Sequence, residues 1–292
     1  MIAGARRRWS SWALVAASVA AIAGFGWPLV AAAVSEDAQA AVPVVALAIV
    51  PALVVAIALT LDREMFSATT VALLGVLAAV GAAIRIAGTG VGGLEPVFIL
   101  LILAGRAYGA RFGFLLGMLT IALSSVLWGG FGPWTPFQVF ACGWVAAGAG
   151  LLPRIGVGSA RTAARLELAM LAGYGIVSSY AFGLIMNFWY WPFAVGMGTD
   201  ISYTPGGPLG ENLASFGIYS LVTSTLSWDT VRAITTTVGI VLLGPAVLAA
   251  LRRARIRPRS TAPRGDGTRT RLSTAPDAAE APPTARRPSA RA

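Results

Sequence analysis

Uninterrupted apolar runs are the feature that most limits what this chain can become. They lie at roughly 12–34, 43–61, 67–86, 95–105, 112–128, 134–152, 166–190 and 229–251. Several reach the roughly 18–20 residues that a helix needs to cross a hydrocarbon core. Lipid offers no partners to backbone N–H and C=O groups, so a spanning segment must be a helix or part of a closed barrel. These runs are continuous and not alternating, which argues for helices. The composition agrees, with 57% hydrophobic and 12% charged residues, where a soluble domain carries about 25% charged. The expected fold is an all-α polytopic membrane protein of about eight transmembrane helices. The run at 95–105 is short for a span unless it continues through Gly105 to Ala107 or is tilted.

Arginine placement tests that register. Arg6, Arg7, Arg8, Arg63, Arg106, Arg111, Arg154, Arg161, Arg165 and the C-terminal arginines all fall on one side of the eight segments. Arg85 and Arg232 fall towards the other side, where Glu36, Asp37, Glu95, Asp200, Glu211 and Asp229 gather. Basic residues favour the cytoplasmic side, so both termini are expected there. The stretch from Arg252 to Ala292 holds eleven arginines against three acids, which is +8 of the chain's +10. Arginines directly after a final span suit anionic lipid headgroups better than nucleic acid. Rich in Pro, Ala, Ser and Thr, the rest of this tail reads as disordered. The basic start and Ala-Gln-Ala ending of the first run resemble a signal peptide, but its apolar run exceeds the usual 7–15 residues or so. A retained anchor is expected. The division is 1–66 as a two-helix membrane segment, 67–251 as a six-helix core and 252–292 as the tail.

Missing residue types exclude whole chemistries. Lysine and histidine are both absent, so there is no Walker A loop, no His-dependent triad and no HExxH zinc site. Cys142, the single cysteine, has no partner in the chain. No carboxylate is expected at mid-span, since Glu95 and Asp229 read as helix starts. Ion-coupled transport is therefore disfavoured. The inner loops lack the clustered aspartates that a prenyl- or phosphotransferase uses to hold magnesium. Asp62 and Glu64 flank Arg63 and read as a solvated turn. Neither catalysis nor a cofactor or metal is expected.

The connectors on the outer side are unusual. WGGFGPWTPFQ (128–138) has no charge, three glycines, two prolines and four aromatic rings, and ends in Gln138. NFWYWPF (187–193) and GTGVGGLEP (88–96) lie on the same side, as does the segment from Ala194 to Ser227, which reads as too polar to span. An interfacial aromatic belt explains isolated tryptophans. Stiff aromatic walls with a few oriented polar groups also make a ligand pocket. The candidate substrate-binding residues are Glu95, Trp128, Gly130, Trp134 and Gln138, with Asn187, Trp189 and Trp191. In the third run, Gly75, Ala79 and Ala83 are spaced four apart, as are Ala78 and Ala82. Such spacing lets another backbone approach closely, within the bundle or from a partner.

Four stretches resemble the substrate-binding S component of energy-coupling factor (ECF) vitamin transporters. They are ALLGVLAAVGAAIR (72–85), FILLILAGRAYGARFGFLLGMLT (98–120), GGFGPWTPFQVFACGWVAAGAGLLPR (129–154) and GLIMNFWYWPF (183–193). The resemblance implies six core helices that bind a micronutrient from outside. It further implies association with a separate coupling membrane protein and two cytoplasmic ATPases. Gly75, Ala78, Ala79, Ala82 and Ala83 would then face the coupling protein. The two helices before Ser67 and the basic tail depart from the six-helix pattern. The resemblance is to the actinobacterial cobalamin-type group, which makes cobalamin the first ligand choice and an aromatic vitamin such as riboflavin the next. The bacterial plasma membrane is the implied location. The rival readings are an accessory membrane subunit without ligand, a membrane-embedded lipid or prenyl transferase, and a permease working alone.

Overall fold

The computed structural model describes residues 15–16, 18–29, 68–88, 92–156, 158–196 and 198–254. The expected run at 43–61 and the tail beyond residue 254 lie outside the described residues. Among those described there is no strand. The chain forms α1 (Ala68–Ala87), α2 (Val97–Tyr108), α3 (Ala110–Trp128), α4 (Thr135–Leu151) and α5 (Ala160–Ala194). A continuous helical stretch follows: α6 (Leu209–Ser220), a π-helical segment (Leu221–Asp229) and α7 (Thr230–Ala254). Among the described residues four stretches are long and apolar enough to cross a membrane: α1, α3, α5 and the continuous Leu209–Ala254. That is the length and composition of a membrane protein. α2 is apolar but has only 12 residues.

Local chemistry sets the boundaries. Gly109 alone separates α2 from α3, at φ +97°, a conformation that costs glycine little. Gly129 ends α3 in the left-handed region and donates its N–H to Ser125 O. Pro136 sits in the first turn of α4, where a missing N–H leaves no bond unmade. The Ser159 side chain accepts from the Thr162 N–H and caps α5. Pro192 lies inside α5 and Pro245 inside α7.

Two polar clusters fix the helix directions. At one end, Arg106 donates to Glu167 at 2.7 Å and to the Leu152 and Pro153 carbonyls, which satisfies the end of α4. Arg252 donates to the same Glu167, and Tyr108 donates to Leu251 O. At the opposite end, Arg85 meets Ser124 and Gln138, and Glu95 meets Arg232. Helices α1 to α5 and then α7 therefore run in alternating directions.

The densest packing joins α2, α3 and α4. Gly105, Gly109, Gly113 and Gly117 are spaced four apart, and Cys142, Ala146 and Gly150 repeat the spacing on α4. A Cβ on Gly105 or Gly113 would collide with the Ala146 carbonyl, and one on Gly117 with the Cys142 backbone. The helices thus touch backbone to backbone, the arrangement that small residues permit in lipid.

Two sequence expectations change here. The segment from Ala194 to Ser227 is not a polar connector throughout, because helix begins at Leu209 and continues to Ala254. Only 195–208 connects, held by paired bonds between Asn212 and the Thr204 backbone. The expected run 12–34 is helical over 18–25, and it packs into the core instead of standing apart from 67–251. Phe25 meets Phe137 edge-on at 4.9 Å, Trp144 donates to Ser18, and Trp27 donates to Trp189 O.

The seam predicts a contrast between glycines. Gly113→Ala should lower the thermal unfolding midpoint in detergent, at a cost of about 1–3 kcal/mol. Gly75→Ala, whose new Cβ meets nothing within 4 Å, should leave the midpoint unchanged or raise it by up to about 1 kcal/mol. Equal midpoints would show that the backbone contact does not carry the packing.

Candidate functional site

The polar end of the bundle is organised around Arg232 in α7. Its Nε donates to Glu95 Oε2 at 2.5 Å, and its Nη1 donates to Asp229 Oδ1 at 2.6 Å and to Ser179 O at 3.0 Å. The guanidinium also lies over two rings, 4.8 Å from the Phe182 centroid and 5.5 Å from that of Phe98. Asp229 is fully buried and takes a second bond from Ser224. Gly183 makes room for it, since a Cβ there would collide with the carboxylate. Two carboxylates meet one guanidinium.

Asp229 ends the π-helical segment, and its carboxylate meets Arg232 three residues further on, in α7. Such segments are rare and recur at functional sites. Hydroxyls bond back to the chain at either end of it: Thr223 donates to Tyr219 O and Thr230 to Thr225 O. Asp229 does not begin a helix, as its sequence position suggested; it lies inside the continuous stretch Leu209–Ala254. A carboxylate in that setting must be paired, and this one is.

A cavity of about 260 Å³ adjoins the cluster. Arg85 and Gln138 form one polar wall; Arg85 donates to Gln138 Oε1 at 3.0 Å and to Ser124 Oγ at 2.9 Å. Glu95, held by Arg232, contributes the opposite charge. Phe98, Phe182 and Trp228 supply aromatic surface, and Ile121 and Cys142 line it as well. Gly93 is pressed against the Trp228 backbone at φ +72°, which keeps the 92–96 connector close over the start of α7. The result is a small chamber with a positive side, a negative side and aromatic walls. It suits a compact molecule with both acceptor and donor groups.

The candidate residues distribute unevenly around it. Glu95 and Gln138 line the cavity. Trp128 and Trp134 are 59% and 43% exposed and do not line it. Gly130 is half-buried in the same turn, its N–H bonded to Ser125 O. Asn187 donates to Ser220 and braces α5 against α6. Trp189 is 2% exposed and stacks on Phe137 at 4.3 Å. Trp191 is 1% exposed and donates to Ile201 O. The last two are buried against other side chains and backbone and do not line this cavity. Their bulk suits burial as well as recognition, so sequence alone cannot separate the roles.

The partner-docking candidates also divide. Ala78 and Ala82 are buried against the bundle, whereas Gly75, Ala79 and Ala83 are exposed. The sequence reading missed Arg232, Asp229, Phe98, Phe182 and Trp228. One signal was available: an Asp and an Arg three apart inside an apolar run are costly unless paired. Among the described residues no group of three His, Cys, Asp or Glu side chains could hold a metal ion. No family model, curated protein or solved structure matches this chain.

Removing one partner of a buried ion pair costs about 3–5 kcal/mol. Arg232→Met should therefore unfold well below the parent. Combining it with Asp229→Asn should recover part of the loss, which gives a coupling energy in a double-mutant cycle. Strict additivity of the two substitutions would mean that the pair is not coupled.

Proposed function

We propose that this chain is the substrate-binding membrane subunit of an ECF-type importer. It takes a micronutrient from outside the bacterial plasma membrane into the Arg85–Gln138–Glu95 cavity. In this reading it has about eight spans, six of them in the 67–251 core, with both termini cytoplasmic. A separate coupling protein and two cytoplasmic ATPases supply the energy, since the chain has no Walker lysine. The observation that carries the reading is a chamber with both charges and aromatic walls at the end of the bundle opposite the Arg106–Glu167–Arg252 cluster. An accessory subunit has no need of a guanidinium and a carboxylate lining one chamber.

The volume bears on the ligand. Sites for drug-sized molecules run to roughly 300–1,000 Å³, and the cavity of about 260 Å³ lies just below that range. A corrinoid is far larger than this, so the dimensions favour a one- or two-ring micronutrient over cobalamin. The exposed stripe of Gly75, Ala79 and Ala83 leaves α1 accessible to a coupling protein. The buried pair Ala78 and Ala82 serves the bundle itself.

The test begins with protein purified alone in mild detergent, from which released small molecules are identified by mass spectrometry. A vitamin panel is then titrated by equilibrium binding. Gln138→Ala and Glu95→Gln should each weaken the bound vitamin roughly tenfold, the loss of about 1.4 kcal/mol expected for one polar contact. Trp134→Ala should leave affinity unchanged. A chain that carries no small molecule and binds none of the panel at micromolar concentration is not a binding subunit.

A further inference from the structure

Two guanidinium groups decide which hydrogen-bonding atoms the chamber shows. A guanidinium has donors and no acceptor. The amide atom that faces Arg85 must therefore be oxygen, and Gln138 Oε1 accepts from Arg85 at 3.0 Å. This turns the Gln138 NH2 away from Arg85. Among the described residues that NH2 has no partner, although Gln138 lines the chamber. The same logic holds at Glu95. Its Oε2 accepts from Arg232 Nε, its Oε1 takes no bond among the described residues, and its side chain is 35% exposed. One unused donor and one unused acceptor thus belong to the lining of a single chamber of about 260 Å³, beside Phe98, Phe182 and Trp228.

We propose that Arg85 and Arg232 are positioning residues that fix the polarity of a site for a neutral, planar heterocyclic amide or ureide. The ring's carbonyl accepts from the Gln138 NH2, its ring N–H donates to Glu95 Oε1, and the aromatic side chains pack on its faces. The charges argue for a neutral occupant. Glu95 is already bridged to Arg232, and Arg85 already donates to Gln138 and Ser124. An anion in so small a chamber meets Glu95 and a cation meets Arg85, and like charges brought together select against a partner. An amide edge brings an acceptor and a donor with no charge to desolvate. This names the substrate class of the binding-subunit reading and rests on it.

Quinazoline-2,4-dione is a two-ring probe with both groups and no charge at neutral pH. Its binding to the full chain in phosphatidylcholine nanodiscs is compared with that of 1,3-dimethylquinazoline-2,4-dione, which keeps the carbonyls and lacks the N–H groups. Both probes are radiolabelled, and empty nanodiscs give the partition background. The parent should bind at least roughly tenfold tighter, as loss of a hydrogen bond to a charged acceptor implies. In Glu95→Gln, Arg232 again claims the oxygen, so the chamber gains an NH2 in place of an acceptor. The preference for the parent should then disappear. Arg85→Met should weaken the parent probe in the unmodified chain and have no further effect in a Gln138→Ala background, since Arg85 acts through the amide.

Equal affinities for the two probes overturn the proposal, as does a preference that survives Glu95→Gln. That comparison stands even if Arg85→Met loses the fold. Equal losses from Arg85→Met in both backgrounds overturn the positioning role. If L-tryptophan, an aromatic zwitterion, or a panel vitamin binds in a Gln138-dependent way and the dione does not, the amide class fails and the binding-subunit reading stands. If nothing binds, both fall.

Discussion

Three helix backbones touch around Ala146, and the positions of the polar groups follow from that contact. In lipid there is little hydrophobic drive between helices, so close van der Waals approach has to hold them. Gly105, Gly113 and Gly117 present no side chain to α4, and Gly150 presents none to the α2–α3 turn, where a Cβ would meet Gly109 and Ala110. The one-residue turn at Gly109 leaves α2 and α3 almost no freedom to slide. With α2, α3 and α4 locked, Glu95 before α2, Ser124 near the end of α3 and Gln138 at the start of α4 come to one end of the bundle. The charged chamber depends on a seam that contains no charge.

Arg232 adds the second constraint, by electrostatics instead of shape. A guanidinium and a carboxylate taken out of water cost several kcal/mol each unless paired with good geometry. Here the compensation comes from three separate elements: Glu95 before α2, Ser179 O on α5 and Asp229 at the head of α7. The edge-on pair of Phe98 and Phe182, 5.2 Å apart, closes over the cation. Of the cluster's two carboxylates, Asp229 is sealed off and Glu95 is about one-third exposed. Both acids pair with the arginine, and Glu95 is the one that also lines the chamber.

This division explains what could be read from the sequence. Hydropathy marks helices well, because a run such as 112–128 must be helical to satisfy its own backbone; α3 spans Ala110–Trp128. It marks Leu209–Ser227 badly. Serines, threonines and Glu211 lower the apolar signal there, yet a helical serine or threonine can bond its own backbone, as Thr223 does to Tyr219 O. The candidate site was half legible for a similar reason. Gln138 and Glu95 are polar groups in apolar surroundings and stand out. The Arg232–Glu95 pair lies 137 residues apart, and no local pattern links such residues. Trp189 and Trp191 look like recognition residues by type, and only packing shows Phe137 and Ile201 occupying them. The glycine ladder from 105 to 117 was in plain view, but its meaning needed the Ala146 carbonyl opposite.

α1 stands between the polar chamber and an apolar groove of about 540 Å³ that it forms with α2 and α7. It contributes Arg85 to the first, Val80, Ile84 and Ala87 to the second, and Gly88 to both. Its hold on the bundle is narrow: Ala78, Gly81 and Ala82 are its buried residues, and a Cβ on Gly81 would stand 2.8 Å from Thr120 Oγ1. The distance between α1 and α3 is thus set by a glycine against a threonine. Arg85 lies four residues beyond Gly81, and its bonds to Ser124 and Gln138 tie the end of α1 back to the locked helices. Between chamber and groove, Gly88 packs against Leu94 O and the Pro96 ring. That contact depends on how closely one lightly held helix lies against a rigid three-helix seam.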